Sequence, residues 1–254
     1  MIDFLGAEIV SDERLIVLVI AVCVGGIVRG FTGFGSALII IPALTLAFDP
    51  LQAVVMHSIM EIPVILGLAP TAVRHADRRI VLPMIALICI TTPIGAAILS
   101  TVNVDFLKIA ISFAVLAMVC LLAVQDRVSA LLGTRGTLVG AAAGGLIQGA
   151  TGVGGPPIVT TLMARGDPPV TARGNVIAAM SSVIAISLVA FTAFGLITRE
   201  TLVTGALAAP ICLLATVGGM LAFRAFGGRH HRSVTLVVLV LTALETIFVV
   251  LSSS

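Results

Sequence analysis

The sequence has few charged residues and contains no Trp and no Tyr. Of its 254 residues, 14 are Lys or Arg and 12 are Asp or Glu. An ordinary soluble domain is about 25% charged, whereas this chain is 10% charged and 59% hydrophobic, with a mean hydropathy of +1.23. So few polar groups could not cover a soluble globule, and a net charge of +2 indicates no polyanionic partner. The composition therefore excludes a soluble enzyme, a nucleic-acid-binding protein and a disordered chain, and it predicts an integral membrane protein.

Motifs for catalysis and for cofactor binding are also missing. There is no Walker A sequence, no HExxH motif and no Ser–His–Asp ordering, so neither ATP hydrolysis nor an intramembrane hydrolase is predicted. Four cysteines lie far apart within apolar runs, without a CxxC pair or a Cys/His cluster: Cys23, Cys89, Cys120 and Cys212. We therefore predict no enzyme activity, no catalytic residue, no cofactor and no metal site.

The apolar residues form continuous runs rather than the alternating segments of a membrane β-barrel. Because a hydrocarbon core of about 30 Å needs about 20 apolar residues per helix, an all-α integral membrane protein is predicted. Charged residues, Gly and Pro divide the chain into ten apolar segments: 15–29, 33–48, 51–70, 80–99, 104–124, 136–149, 152–164, 171–197, 201–223 and 233–251. The acidic first 14 residues lack the basic start of a secretory signal, and we interpret them as a short tail.

The chain contains an internal repeat. GGIVRGFTGFG (25–35) aligns with GGLIQGATGVG (144–154) at an offset of 119, with six identities in eleven positions. Nearer the ends of the two copies, PIGAAIL (93–99) resembles VGGMLAF (217–223) at an offset of 124. Because an internal repeat determines the fold, we divide the chain into four parts: an acidic tail (1–14), repeat 1 (15–124), a cytoplasmic linker (125–135) and repeat 2 (136–254).

The charges of the loops predict how the repeats cross the membrane. The loops 74–79 and 229–232 are the most basic and are expected in the cytoplasm, which leaves the 199–200 turn outside. Equivalent loops of the two copies then lie on opposite sides, so each copy crosses an odd number of times. Five spans, or three spans plus a re-entrant hairpin, would satisfy this. The predicted fold is two inverted-topology repeats of roughly five helical segments each, with broken or re-entrant glycine-rich helices meeting near the midplane.

The glycine-rich segments predict a binding site. A helix break inside the bilayer frees N–H and C=O groups that lipid cannot satisfy, so it persists only against protein or a polar cavity. The helix that restarts after a break presents free N–H groups and the positive end of its dipole, which suits an anion. Both copies carry such a break, TGFGS (32–36) and TGVGG (151–155). The alternative is that the glycines only permit close helix packing, which we expect for Gly25-Gly26 and Gly144-Gly145.

Three charged residues lie deep in apolar segments and are therefore functional candidates: Arg29, Glu61 and Glu245. Arg29 precedes the first break and aligns with Gln148, so one copy supplies a guanidinium and the other a neutral amide. The alternative for Arg29 is a structural pair with Glu61. His57 and Glu61 share a helix face and form a candidate pair for proton coupling, or else a polar contact between helices. For Glu245 we predict no role.

The two motifs, GGIVRGFTGFGSALIIIPAL (25–44) and GGLIQGATGVGGPPIVTTLM (144–163), resemble the TauE/SafE family of membrane proteins. The chain length, the duplication and the lack of extramembrane domains are also similar. The first copy departs from the second, since Ser36-Ala37-Leu38 stands where the second has Gly155-Pro156-Pro157. The resemblance implies a secondary transporter of the bacterial inner membrane that exports sulfite or a small organosulfur anion.

The combined expectation is a carrier that works by alternating access, with or without a coupled proton on His57 or Glu61. The expected partners are a small anion and the lipid bilayer, with no nucleic acid, and a homodimer is left open. The alternatives are a passive anion channel and a non-transporting membrane partner in sulfur metabolism. The predicted substrate-binding residues are Arg29, Thr32, Gly33, Gly35, Ser36, Gln148, Thr151, Gly152, Gly154, Gly155 and Asn175.

Overall fold

The computed structural model describes residues 12–124 and 136–222. Within these ranges the chain forms ten α-helices: α1 (Asp12–Thr32), α2 (Ser36–Thr45), α3 (Pro50–Met60), α4 (Ile62–His75), α5 (Arg78–Thr101), α6 (Val104–Ala123), α7 (Gly136–Thr151), α8 (Gly155–Met163), α9 (Pro169–Ala193) and α10 (Arg199–Ala222). The all-helical fold class is confirmed for this part of the chain. The following predicted parts lie outside the described residues: residues 1–11 of the tail, the whole 125–135 linker, the 229–232 loop, the 233–251 segment and Glu245.

Six stretches of the described chain are long and apolar enough to cross a membrane: Glu13–Phe31, Pro50–Pro70, Arg78–Thr101, Val104–Leu121, Val170–Ala193 and Arg199–Ala222. Large apolar side chains are exposed along them, such as Phe113, Val189 and Leu214, each more than 70% exposed. Such a surface is stable against lipid rather than water. The chain is therefore a multi-pass membrane protein.

The predicted segment 51–70 is a single span, but it breaks at Glu61. Helix α3 ends at Met60 and α4 begins at Ile62. Pro63 follows closely, and because proline lacks an N–H and its ring crowds the carbonyl four residues earlier, it favours a kink or break in the helix at this position. The break places Glu61 near the middle of the Pro50–Pro70 span.

Two helical hairpins, α1–α2 and α7–α8, have breaks of the same length. Both first helices end on the Thr of the repeat, Thr32 and Thr151, and both second helices begin four residues later. The residue after each Thr has a left-handed backbone, with φ of 87° at Gly33 and 77° at Gly152, which favours glycine. Helix α2 has 10 residues and α8 has 9, so at 1.5 Å per residue each covers about half of a 30 Å hydrocarbon core.

Contacts between loops define two ends of the bundle. At the first end, the Arg14 guanidinium lies over the Phe48 ring, 5.8 Å from its centroid, so the segment after α2 lies close to the start of α1. At the same end, Gln52 Nε2 donates to Glu200 Oε2 at 3.3 Å. At the second end, the Asp77 backbone N–H donates to Asn175 Oδ1 at 2.7 Å.

Helices α3 and α4 run between these two ends. The loop before α5 and the turn before α10 therefore lie at opposite ends of the described bundle. An inverted repeat requires such an arrangement. The inversion itself, and which end faces the cytoplasm, stay predictions of the sequence.

The glycine contacts between helices are duplicated. A Cβ on Gly30 of α1 would collide with the carbonyl of Thr216 and lie 2.8 Å from the Met220 nitrogen of α10. A Cβ on Gly149 of α7 would collide with the carbonyl of Thr92 and lie 2.8 Å from the Ala96 nitrogen of α5. These residues correspond one to one at the two offsets, 119 and 124, seen in the sequence. Each hairpin thus packs on a long helix through the same backbone contact.

Candidate functional site

The tip of the first hairpin carries a buried ion pair. Arg29 lies in the last turn of α1 and is 6% exposed, and Glu61 lies in the break between α3 and α4 and is 0% exposed. The Arg29 Nη2 atom is 2.8 Å from Glu61 Oε2. Because Glu61 is near the middle of the Pro50–Pro70 span, the tip of the first hairpin lies beside the middle of that span.

Two further polar side chains complete the site. Ser36, the first residue of α2, donates to Glu61 Oε1 at 2.6 Å. The Nε2 atom of His57 lies 3.1 Å from Ser36 Oγ and 3.6 Å from Glu61 Oε1. The structure therefore brings together four residues singled out in the sequence, on α1, α2 and α3 and in the break after α3. We refer to Arg29, Ser36, His57 and Glu61 as the Arg29 cluster.

The Arg29 cluster retains unused polar atoms. Arg29 Nε and His57 Nδ1 are buried and have no hydrogen-bond partner among the described residues. Unsatisfied buried polar atoms are costly, and at a functional site they indicate where a solute or water is accommodated. The guanidinium has a fixed fork of donors, and its unpartnered Nε shows that Glu61 uses only part of that fork.

The second tip has a break of the same length as the first, but its side chains differ, and Gly154 is right-handed (φ −74°) where Gly35 is left-handed (φ 93°). Gln148, the repeat mate of Arg29, is buried, and its Oε1 accepts from the backbone N–H of Gly154 at 3.0 Å. Its Nε2 is buried with no hydrogen-bond partner in the described ranges. Thr151 donates to the carbonyl of Ile147 at 2.9 Å. The side-chain amide of Gln148 thus accepts a hydrogen bond from the break that follows its own helix, whereas Arg29 pairs with the Glu61 carboxylate between α3 and α4.

The two restarting helices offer different numbers of backbone donors. Pro156 and Pro157 follow Gly155 at the start of α8, and neither proline has an N–H. Helix α2 begins with Ser36 and Ala37, which do have N–H groups at positions that lack intrahelical partners. The first tip therefore offers more backbone donors than the second.

Each tip packs against helices of the other repeat. Phe34, between the two glycines of the first break, contacts the core cluster formed by α5, α7, α8 and α9. Its repeat mate Val153 is fully buried in the larger cluster that also contains Ile41 and Val54. A Cβ on Gly152 would lie 2.5 Å from Ile41 Cδ1. The tips are thus held by contacts between the repeats.

Asn175 lies at the second end of the bundle rather than in the Arg29 cluster. Besides accepting from Asp77, it donates through Nδ2 to Asp167 Oδ2 at 3.3 Å, and Asp167 pairs with Arg165 at 3.0 Å. These contacts tie the loop before α5 to the start of α9. The binding role of Asn175 stays a prediction, and its hydrogen bonds within the described ranges go to Asp77 and Asp167.

Two features of the site were not predicted from the sequence. The break at Glu61 was missed, although Pro63 was a local signal for it. Cys212 on α10 is fully buried and lies within electrostatic reach of Arg29 and Glu61, but a cysteine in an apolar run carries no signal of such a position. In the described part of the chain, no group of three or more His, Cys, Asp or Glu side chains could hold a metal ion.

Membrane-spanning helices around a buried charged cluster at a broken helix are the features of a multi-pass membrane transporter. A family model described as "Sulfite exporter TauE/SafE" matches residues 17–246. The chain therefore belongs to the TauE/SafE family of sulfite exporters, whose members are transporters and not enzymes. No curated protein and no solved structure gives a significant match.

Proposed function

We propose that the protein is a secondary transporter that exports a small sulfur-containing oxyanion, sulfite or a small organosulfonate, across the bacterial inner membrane by alternating access. The observation that carries this proposal is the buried guanidinium of Arg29 at the tip of a broken helix, with Nε unpartnered among the described residues. Family membership supports a small anionic substrate.

The residues around Arg29 suit a compact oxyanion. Such an anion has several acceptor oxygens, and the first tip combines a guanidinium, the Ser36 hydroxyl and the N–H groups that begin α2. The dipole of α2 adds a partial positive charge at the same place. We assign the main binding contacts to the first tip, and to Gln148 a secondary contact through its free Nε2.

Alternating access is supported by the position of the two tips. Both lie within the bundle, and each packs against helices of the other repeat. A displacement of one repeat relative to the other would therefore move the tips and change the end from which the Arg29 cluster is reached. A passive channel would instead keep the cluster accessible from both ends.

The direct test is anion binding and flux with purified protein. Sulfite, a small sulfonate, thiosulfate and sulfate are titrated by calorimetry, and sulfite flux is measured in liposomes. We expect saturable binding and flux, and a loss of affinity of about 10- to 100-fold in Arg29→Ala, because a charge-assisted hydrogen bond contributes about 1.5–3 kcal/mol. Arg165→Ala is the matched control, since it removes an arginine from an ion pair at the end of the bundle.

Other outcomes separate the alternatives. Wild-type affinity and flux in Arg29→Ala would refute the assigned site and leave Arg29 as a structural residue. Flux that never saturates, with no exchange of internal for external anion, would favour a channel. Absence of both binding and flux in the unmodified protein would favour a non-transporting partner.

A further inference from the structure

Glu61 occupies the place on Arg29 that a substrate anion would take. One carboxylate oxygen faces Arg29 Nη2 at 2.8 Å, and the other accepts from Ser36 Oγ at 2.6 Å. Glu61 therefore meets the guanidinium with one oxygen and the Ser36 hydroxyl with the other, and an ionised carboxylate in this position compensates the charge of Arg29. In this arrangement Glu61 acts as an internal anion for Arg29.

The charges of the cluster must balance because it is buried. Arg29 and Glu61 together are neutral, and both are at least 94% buried. An added monoanion would leave one uncompensated negative charge, which is strongly unfavourable away from water. A proton on Glu61 removes that excess and frees the guanidinium at the same time.

We propose that Glu61 and the substrate anion compete for Arg29, so that the carrier takes up one proton on Glu61 for each monoanion that it binds. This inference rests on the proposed function. The competition also narrows the substrate class. One proton on Glu61 frees the single positive charge of Arg29, and that charge matches an anion with a single negative charge. A hydrogensulfite or a sulfonate should bind more tightly than sulfate or thiosulfate, which carry two charges.

The hydrogen bonds favour Glu61 over His57 as the group that keeps the proton. Among the described residues, the charged and titratable groups around Glu61 are Arg29, His57 and, within electrostatic reach, Cys212. A proton held by His57 would leave the pair of Arg29 and Glu61 intact. Only a proton on Glu61 removes the internal anion.

His57 and Ser36 form a path by which that proton can arrive. Ser36 has one hydroxyl hydrogen, which it donates to Glu61, so at 3.1 Å His57 Nε2 is the donor to Ser36 Oγ. His57 Nδ1 is then an unpartnered acceptor. A proton added at Nδ1 shifts the Nε2 hydrogen to Ser36 and the Ser36 hydrogen to Glu61, which leaves His57 neutral.

The test is to count the protons taken up on binding. Ethanesulfonate is titrated by calorimetry in buffers of different ionisation enthalpy, because a sulfonate stays a monoanion throughout and contributes no proton of its own. We expect uptake of about one proton per anion and an affinity that falls as the pH rises, by about tenfold per pH unit where one full proton is taken up. Glu61→Gln should bind more tightly, with no proton uptake and no pH dependence. Glu200→Gln, a carboxylate at the first end of the bundle, should behave as the unmodified protein.

The possible results are distinct. Binding of ethanesulfonate without proton uptake, or with the same uptake in Glu61→Gln, would overturn the competition and leave the proposed function standing. No binding of any tested oxyanion by the unmodified protein would overturn both. If Glu61→Gln does not fold, the number of protons that the unmodified protein takes up per anion is sufficient to test the competition.

Discussion

Removal of one member of the buried ion pair should cost far more stability than removal of both. Arg29→Met leaves the Glu61 carboxylate without its guanidinium, and Glu61→Leu leaves an arginine that cannot lose its charge. Removal of one partner of a buried pair costs about 3–5 kcal/mol, whereas apolar replacement of both is often neutral. The double variant loses the acceptor for Ser36 as well, so we expect it within about 2 kcal/mol of the unmodified protein.

The difference is large enough to measure in detergent. For a chain of 150–250 residues, 1 kcal/mol shifts the melting temperature by roughly 2–4 °C, so each single variant should melt roughly 6–20 °C lower. Because the protein has no Trp and no Tyr, circular dichroism or chromatography after heating is the suitable readout. The loss in Arg29→Met should shrink at acidic pH, where Glu61 can take up a proton, and the loss in Glu61→Leu should not.

Two results would refute this reasoning. If the losses of the two single variants add up in the double variant, the two charges do not stabilise each other. If both single variants melt within 2 °C of the unmodified protein, the pair is hydrated rather than buried. The matched control is the pair of Arg165 and Asp167, which is partly exposed, and its loss should cost less than 1 kcal/mol.

Three further predictions concern the fold and the ends of the bundle. Gly30→Ala and Gly149→Ala should each lower the melting temperature by several degrees and by similar amounts, because both side chains would collide with the backbone of a neighbouring helix. Asn175→Ala should lower thermal stability and leave anion affinity within twofold of the unmodified protein, because its hydrogen bonds join loops at the second end. Single cysteines placed in the 76–77 loop and in the 194–198 turn should react with impermeant reagents from opposite sides of the membrane.

Each of these has a contrary outcome. Gly218→Ala is the control for the glycine variants, since a Cβ there would meet nothing within 4 Å, and an equal loss in all three would refute the packing argument. A selective loss of anion affinity in Asn175→Ala would favour the binding role expected from the sequence. Labelling of both cysteines from one side would exclude the inverted repeat.

The hairpins were predictable because their signal is local. Apolar runs set the spans, and the repeated TGxG turns marked breaks that the structure places at residues 33–35 and 152–154. The left-handed backbone at Gly33, Gly35 and Gly152 favours glycine, and all three positions were in the motif. Periodicity and local residue preference were sufficient for these elements.

The pairing within the site was less accessible to sequence reasoning. Whether Arg29 faces Glu61 or a cavity depends on how two helices rotate about their axes, which a single sequence leaves open. Anion binding and pairing with Glu61 were therefore both predicted as roles for Arg29. The structure shows the pair with Glu61 together with an unpartnered Nε. Asn175 was singled out because it is polar in an apolar segment, but that pattern does not distinguish a binding residue from one that joins loops.

The duplicated glycine contacts imply an order of assembly during synthesis. Helix α7 meets α5 soon after it emerges, since the two are close in sequence, but α1 must wait for α10, nearly 190 residues later. If its partner lay on α10 as well, Arg29 would stay unpaired within the bilayer during that interval. Its counter-charge, Glu61, is only 32 positions further along the chain, so the insertion machinery can release a neutral hairpin long before the last described helix arrives.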